Sequence, residues 1–253
     1  MNLPGFVKGH PVWFVVGLEG AVLVSAAPRI DRFWSHVAPP ADPAAVARLI
    51  LAVGLVVGLT WRRRCGFVRP SRWRDPYLLF LLGLPLALPA MALIPPNFPS
   101  LHVALTLALG TLIVAANEEL IFRGLMLQAL LPFGPRRAVF ATGLLFGLTH
   151  IPNAFLGANA SFVVLQATAA VVVGIFFAAL TLRIHSVLPV ILAHWFNDWA
   201  VFSAAGLGVS RSAPAVDAFI VAMLVGYAAV LLGAPAIILR RSMLNRCAAP
   251  QEP

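Results

Sequence analysis

Long apolar runs are the feature that most constrains this chain. Eight can be marked in its 253 residues, and most approach the ~20 residues that a helix needs to cross a bilayer. Apolar residues make up 60% of the sequence and charged residues only 11%, whereas a soluble domain has about 25% charged residues. One soluble core could not hide so much apolar surface. The runs cover 11–27, 44–61, 77–94, 101–131, 138–151, 161–182, 187–205 and 214–239.

The fold class that follows is all-α, a polytopic membrane helix bundle of about eight transmembrane helices. Residues 1–253 form a single integral membrane domain in this interpretation, without a separate soluble unit. The fourth run, 101–131, is ~46 Å long as a helix, so it must tilt or protrude. The fifth, 138–151, is too short to cross, and Pro152 ends it. We expect irregular backbone from Pro152 to position 160, buried in protein or lining a wet cavity.

The chain has a net charge of +9, and most of its basic residues lie at the ends of the apolar runs. With the amino terminus inside, thirteen basic residues fall on the cytoplasmic face and four on the outer face. This bias predicts a multi-pass protein with both termini in the cytoplasm, in the plasma (inner) membrane if the source is bacterial. The lipid bilayer is its first partner, and a nucleic-acid surface is not expected because no soluble basic face exists to form one.

Acidic side chains inside the runs are the informative exceptions. A charged residue at the centre of a membrane helix costs at least ~2.5–3.5 kcal/mol, so each one is a functional hypothesis. Glu118, Glu119 and Asp198 lie inside runs of spanning length. Glu19 lies in the first run, and we assign it no role.

The first polar cluster is Glu118-Glu119-Leu120-Ile121-Phe122-Arg123. Glu119 and Arg123 are four residues apart, so they can pair on one helix face. That pairing makes burial of the acid tolerable. Glu118 points about 100° away from Glu119, since a helix has 3.6 residues per turn, and it needs a partner from another helix.

Two further clusters contain histidine. Phe146 and His150 end the short fifth run, and the spacing of His194 and Asp198 places both on one face of the seventh. Counted from the cytoplasmic helix ends, Glu118, His150 and His194 lie ~20, ~18 and ~12 Å deep. All three therefore fall in one slab near the middle of the membrane, which predicts that they converge.

A glutamate beside two histidines in a bundle interior is suited to activating a water molecule. One imidazole can share the proton of the water, and a second imidazole with an amide or acid can donate to a developing oxyanion. The same set could instead bind zinc, with Glu118, His150 and His194 as three ligands and water as the fourth. The residues alone do not separate these two mechanisms.

The three clusters resemble the motifs of the CAAX-protease and bacteriocin-processing family (CPBP, also called Abi). That family carries EExxxR, then FxxxH, then HxxxN or HxxxD, each on a membrane helix. All three occur here in order, and the resemblance covers a catalytic core at about 100–205. Each motif alone is weak, but three in order at membrane depth are specific.

The resemblance implies an intramembrane endopeptidase of a glutamic or metallo type. It implies that Glu118 is the general base together with His150, and that His194 with Asp198 forms the oxyanion site. The implied supporting residues are Glu119, Arg123, Asn197 and Phe146.

Asp198 stands where many members of the family carry asparagine. An ionised Asp cannot donate to an oxyanion, so Asp198 is protonated, orients His194, or leaves the role to Asn197. We favour a metal-free mechanism without a cofactor, with zinc as the alternative.

The implied partner is a membrane-embedded or lipidated peptide or protein; a prenylated tail, a bacteriocin leader and a carboxy-terminal sorting signal all stay open. Two other classes of function fit a Glu/His cluster in a membrane. A transporter or proton-relay protein would use it to carry protons, although transporters more often show paired broken helices. A non-catalytic membrane scaffold has no need of three such residues at one depth.

Overall fold

The computed structural model describes residues 5–26, 43–58, 66–67, 69–70, 100–156, 160–205 and 225. Every regular element in these ranges is helical, and no strand occurs in them. The α-helices are α1 (Gly5–Gly9), α2 (Pro11–Ala26), α3 (Pro43–Gly58), α4 (Leu101–Glu119), α5 (Leu127–Leu130), α6 (Pro135–Leu148), α7 (Ala160–Ile184) and α8 (Leu188–Ala205). A π-helical segment, Leu120–Met126, joins α4 to α5, and 3₁₀ turns cover Leu131–Phe133 and Ile151–Leu156.

The all-α class predicted from the sequence is confirmed for the described residues. Among the described residues, two continuous helices are long and apolar enough to cross a bilayer, Leu101–Phe133 with 33 residues and Ala160–Ile184 with 25. The predicted runs 77–94 and 214–239 lie outside the described residues, apart from position 225. The number of eight transmembrane helices therefore stays a prediction.

Two expectations about the short fifth run are corrected by the structure. We expected a helix over 138–151, and α6 begins earlier, at Pro135. Proline is favoured at the first helical position, where its missing N–H leaves no bond unmade, and Gly134 turns the chain into the helix with a φ of 99°. We also expected irregular backbone after Pro152, but Ile151–Leu156 forms a 3₁₀ helix.

The long helix changes its pitch in the middle. After Glu119 the backbone becomes π-helical over Leu120–Met126, and it returns to α-helix at Leu127. All seven residues of the π segment are buried. Such segments are rare and occur frequently at functional sites. This one begins directly after the paired glutamates.

Helices α6 and α7 pack closely through glycine. A methyl group on Gly143 would lie 2.5 Å from Ile175 Cγ1 and 2.8 Å from Ile175 N. One on Gly174 would lie 2.9 Å from the Cα of Gly143, and one on Gly147 would collide with Val171 Cγ2. Small residues let two membrane helices approach backbone to backbone. The packing therefore fixes the carboxy-terminal end of α6 against α7.

Helix α8 is tied to α4 by two tryptophans one turn apart. The indole N–H of Trp195 donates to the carbonyl oxygen of Ala108 at 2.7 Å, and that of Trp199 donates to Ala104 at 3.0 Å. The residue numbers rise along α8 as they fall along α4, so the two helices run antiparallel. Two bonds on one face also resist rotation of α8 about its own axis.

The glycine packing predicts the result of a single added methyl group. Gly147→Ala should lower the free energy of unfolding by about 1–3 kcal/mol, because the methyl group forces two packed helices apart. The measurement is thermal or denaturant unfolding of the purified protein in detergent micelles. Gly54→Ala on α3 is the matched control, since no atom lies within 4 Å of the added methyl group. Equal stability of the two variants would contradict the packing argument.

Candidate functional site

Arg123 and Glu119 form an ion pair in the interior of the bundle. Arg123 Nη1 lies 3.0 Å from Glu119 Oε1, and the two side chains are 1% and 0% exposed. The predicted pairing at four-residue spacing is therefore confirmed. Three aromatic rings surround the guanidinium, whose carbon lies 4.2 Å from the ring centre of Phe146, 5.7 Å from that of Phe177 and 5.9 Å from that of Phe122. Cation–π attraction operates at these distances and stabilises the buried charge further.

His194 of α8 reaches across to both glutamates of α4. Its Nδ1 lies 2.8 Å from Glu119 Oε1, the oxygen that also faces Arg123. Because an ionised carboxylate only accepts hydrogen bonds, Nδ1 carries the proton and donates it. The second nitrogen, Nε2, lies 3.7 Å from Glu118 Oε2 and 3.4 Å from Asp198 Oδ2. Glu118 thus has the partner from another helix that the sequence required.

The four acidic and basic groups around His194 differ in their access to water. Glu119 and Arg123 are fully enclosed, whereas the side chains of Glu118 and Asp198 are 27% and 26% exposed. The imidazole itself is 12% exposed. Nδ1 of His194 therefore bonds to an enclosed carboxylate, whereas Nε2 lies on the partly open side of the site, which water can reach.

The Phe146 ring links the two histidines. Its centre lies 5.3 Å from that of His150 and 5.9 Å from that of His194, and both contacts are edge-to-face. It also packs edge-on against Phe122 at 5.1 Å. The phenylalanine of the FxxxH pattern is buried and therefore sets the spacing between the imidazoles, which explains a residue that the sequence marked only as supporting.

His150 lies in the turn after α6, and its own turn holds its ring. Nδ1 lies 3.0 Å from the carbonyl oxygen of Phe146 and 3.3 Å from Oγ1 of Thr149. Since a carbonyl oxygen only accepts, Nδ1 donates and Nε2 of the neutral ring keeps its lone pair. Within the described ranges no hydrogen bond or ion pair joins His150 directly to Glu118. The two are linked through Phe146 and His194 instead.

Between the two alternatives for the third motif, Asp198 is the residue whose side chain lies beside His194. Asn197 is 5% exposed and is buried in the bundle. The geometry therefore favours Asp198 as the group that orients His194 through Nε2. The catalytic roles of Asp198 and Asn197 stay predictions.

The sequence did not identify several residues that shape this site. Thr149 donates its hydroxyl to the Phe146 carbonyl at 2.6 Å and contacts His150. Phe177 of α7 packs 6.3 Å from the ring of His194 and lies against Arg123. No spacing rule points to a phenylalanine in a run that is apolar throughout, whereas the hydroxyl beside His150 could have been noticed.

The zinc alternative and the metal-free alternative both stay predictions. In the described ranges no group of three or more His, Cys, Asp or Glu residues is placed to hold a metal ion. Glu118 and His194 are adjacent, and Nδ1 of His150 bonds the carbonyl of Phe146 in its own turn.

The buried ion pair gives a prediction about stability. Arg123→Leu should lower the free energy of unfolding by about 3–5 kcal/mol, because it leaves the Glu119 carboxylate buried without its cation. Arg123→Lys keeps the charge and should cost less, and combining Arg123→Leu with Glu119→Leu should cost less than the sum of the single changes. Denaturant unfolding in micelles of the wild type, the three single variants and the double variant measures this. Additive losses in the double variant would show that the two side chains do not act as a pair.

Comparison with known families gives a match over the part of the chain that carries the three motifs. Residues 100–200 match the family model described as type II CAAX prenyl endopeptidase, Rce1-like. The matched range contains all three motifs and every residue placed around His194. No curated protein is matched by the chain. Residues 100–200 are therefore similar to the Rce1-like type II CAAX prenyl endopeptidases, in agreement with the resemblance that the motifs carry.

Proposed function

We propose that the protein is an intramembrane endopeptidase that hydrolyses a peptide bond of a prenylated or otherwise membrane-associated protein. The family match supports a protease of the CAAX type in general, and the long apolar helices support an integral membrane protein. The sequence further favours about eight spans with both termini in the cytoplasm, because basic residues concentrate on that face.

One observation supports the choice of Glu118 as the base. Of the two adjacent glutamates, Glu119 is enclosed and already paired with Arg123 and His194. Glu118 is 27% exposed and lies on the Nε2 side of the same imidazole. A general base must reach the water whose proton it removes. Only the glutamate on the open side meets that requirement.

The proposed reaction begins when a water oxygen attacks the carbonyl carbon of the scissile peptide bond. The Glu118 carboxylate accepts the proton that the water loses, and the carbonyl oxygen takes up negative charge. His194 donates Nε2–H to this oxyanion when its ring carries both protons. The tetrahedral intermediate then collapses, the C–N bond breaks, and the proton held by Glu118 passes to the leaving amine.

Four other residues assist in this scheme. Nδ1 of His150 donates to the Phe146 carbonyl, so Nε2 of the neutral ring can accept a hydrogen bond from the second hydrogen of the water. Asp198 lies 3.4 Å from His194 Nε2 and holds the protonated imidazole toward the oxyanion. Glu119 and Arg123 act as positioning residues, because they hold the other side of the same ring.

Removal of the proposed base should abolish activity while the protein still folds and inserts in the membrane. Glu118→Gln, and separately His150→Ala, should lower cleavage by about 10²–10⁴-fold, measured on a fluorescent farnesylated peptide that ends in a CAAX sequence. Glu19→Gln is the matched control. Glu19 is a buried carboxylate of α2 outside the site, and this variant should cleave at the wild-type rate. Full cleavage by both site variants would reject the proposed mechanism.

The metal-free scheme predicts the metal content of the active enzyme. Purified protein that cleaves the peptide should contain far less than one zinc per chain by elemental analysis. Its rate should also withstand a chelator, because no step needs a Lewis acid. Stoichiometric zinc that is lost together with activity on chelation would show that the metallo alternative is correct.

A further inference from the structure

Two amide side chains next to the site have no part in the chemistry above. Asn153 lies in the 3₁₀ helix Ile151–Leu156, and its backbone N–H donates to the carbonyl oxygen of His150 at 3.2 Å. Its side-chain Nδ2 donates to Oε1 of Gln166 on α7 at 2.9 Å. Both side chains are half-buried. The pair therefore joins the segment that follows His150 to the neighbouring helix.

The amide pair lies at the level of His150 in the bundle. A methyl group on Gly147 would lie 2.8 Å from the carbonyl oxygen of Ala167, so α6 meets α7 beside Gln166. Gly147 precedes His150 by three residues, or about 4.5 Å of helix rise. Gln166 is therefore within about one helical turn of His150 along the bundle axis.

The pair has hydrogen-bonding capacity left over. Each amide side chain offers one carbonyl oxygen and one NH₂ group, and the bond between them is the only hydrogen bond that either side chain makes among the described residues. One oxygen, that of Asn153, and one NH₂ group, that of Gln166, stay available. If both side-chain amides are flipped, the available NH₂ group belongs to Asn153 and the available oxygen to Gln166. One acceptor and one donor still remain.

An acceptor beside a donor is complementary to a peptide group. A chain segment that is extended for cleavage loses its internal hydrogen bonds, and at membrane depth each unmade bond costs several kcal/mol. Other peptide-binding proteins meet this need with a row of main-chain partners that give affinity without reading side chains. An amide pair held at the level of His150 can supply the same partners.

We propose that Asn153 and Gln166 form a subsite that binds the backbone of the extended substrate next to the cleaved bond. The ligand class is an unwound peptide segment, whose N–H donates to the free oxygen and whose C=O accepts from the free NH₂ group. This inference rests on the proposed protease function. It assigns binding of the substrate to these two residues, and it assigns them no step of the reaction.

Kinetics on the farnesylated CAAX peptide test the subsite. Asn153→Ala and Gln166→Ala should each raise KM by about three- to tenfold, the range expected for one net hydrogen bond, and leave kcat within about twofold. Thr168→Ala is the control, because among the described residues the hydroxyl of Thr168 bonds to the carbonyl of Val164 in its own helix and to no group of the site. It should match the wild type in both constants.

Gln166→Glu separates binding of the substrate from support of His150. A glutamate keeps the oxygen that accepts from Asn153, so the bond to the 3₁₀ helix survives, but the free donor is gone. The subsite requires a raised KM in this variant as in Gln166→Ala. The subsite would be overturned if Gln166→Glu had the KM of the wild type and both alanine variants had a lower kcat with an unchanged KM. The amide pair would then be a support for His150.

Equilibrium binding gives a measurement that does not depend on turnover. The same peptide should bind the Glu118→Gln protein, and adding Asn153→Ala should weaken its Kd by the same factor by which KM rises. If the wild type cleaves the peptide but adding Asn153→Ala leaves the Kd unchanged, the subsite is rejected and the proposed function is not. If the wild type neither binds nor cleaves the peptide, the proposed function fails, and the subsite fails with it.

Discussion

A positive charge enclosed by apolar helices must be neutralised where it lies, and Arg123 is that charge here. Glu119 lies one turn earlier on the same helix and supplies the neutralising carboxylate at 3.0 Å. The same carboxylate oxygen accepts from Nδ1 of His194. Breaking a buried pair leaves an uncompensated charge, which is strongly destabilising. The interaction that makes Arg123 tolerable in the bundle therefore also fixes the ring of His194, whose second nitrogen lies on the partly open side.

The need for two consecutive glutamates follows from this arrangement. A single carboxylate that neutralises Arg123 and orients His194 is fully enclosed and cannot also meet water. The next residue along a helix points about 100° away, which is enough to carry Glu118 from the enclosed face to the partly open one while both still reach His194. Adjacent acids can thus divide support and proton transfer between them without a further element of structure.

Local spacing explains what the sequence could predict. The Glu119–Arg123 pair and the His194–Asp198 face depend only on the period of the helix, and the match of depths needs only helix rise. The structure bears out both spacings. The contact of Glu119 with His194 joins residues 75 positions apart, and no period encodes it. The π segment was also missed, because it forms in a stretch that is buried on every side and carries no distinctive pattern.

The shortness of α6 is the remaining constraint on the site. Its 14 residues span about 21 Å, less than the ~30 Å hydrocarbon core. A helix of that length ends inside the membrane when it starts at one surface, and its last turn then brings free carbonyl groups to membrane depth. That is tolerable only where protein groups satisfy them, and His150 and Thr149 both bond the carbonyl of Phe146. The depth of His150 follows from its distance from the start of α6, and a longer helix would leave it at the same level. The early stop instead places the histidine in the turn after α6, where its ring bonds the carbonyl of Phe146.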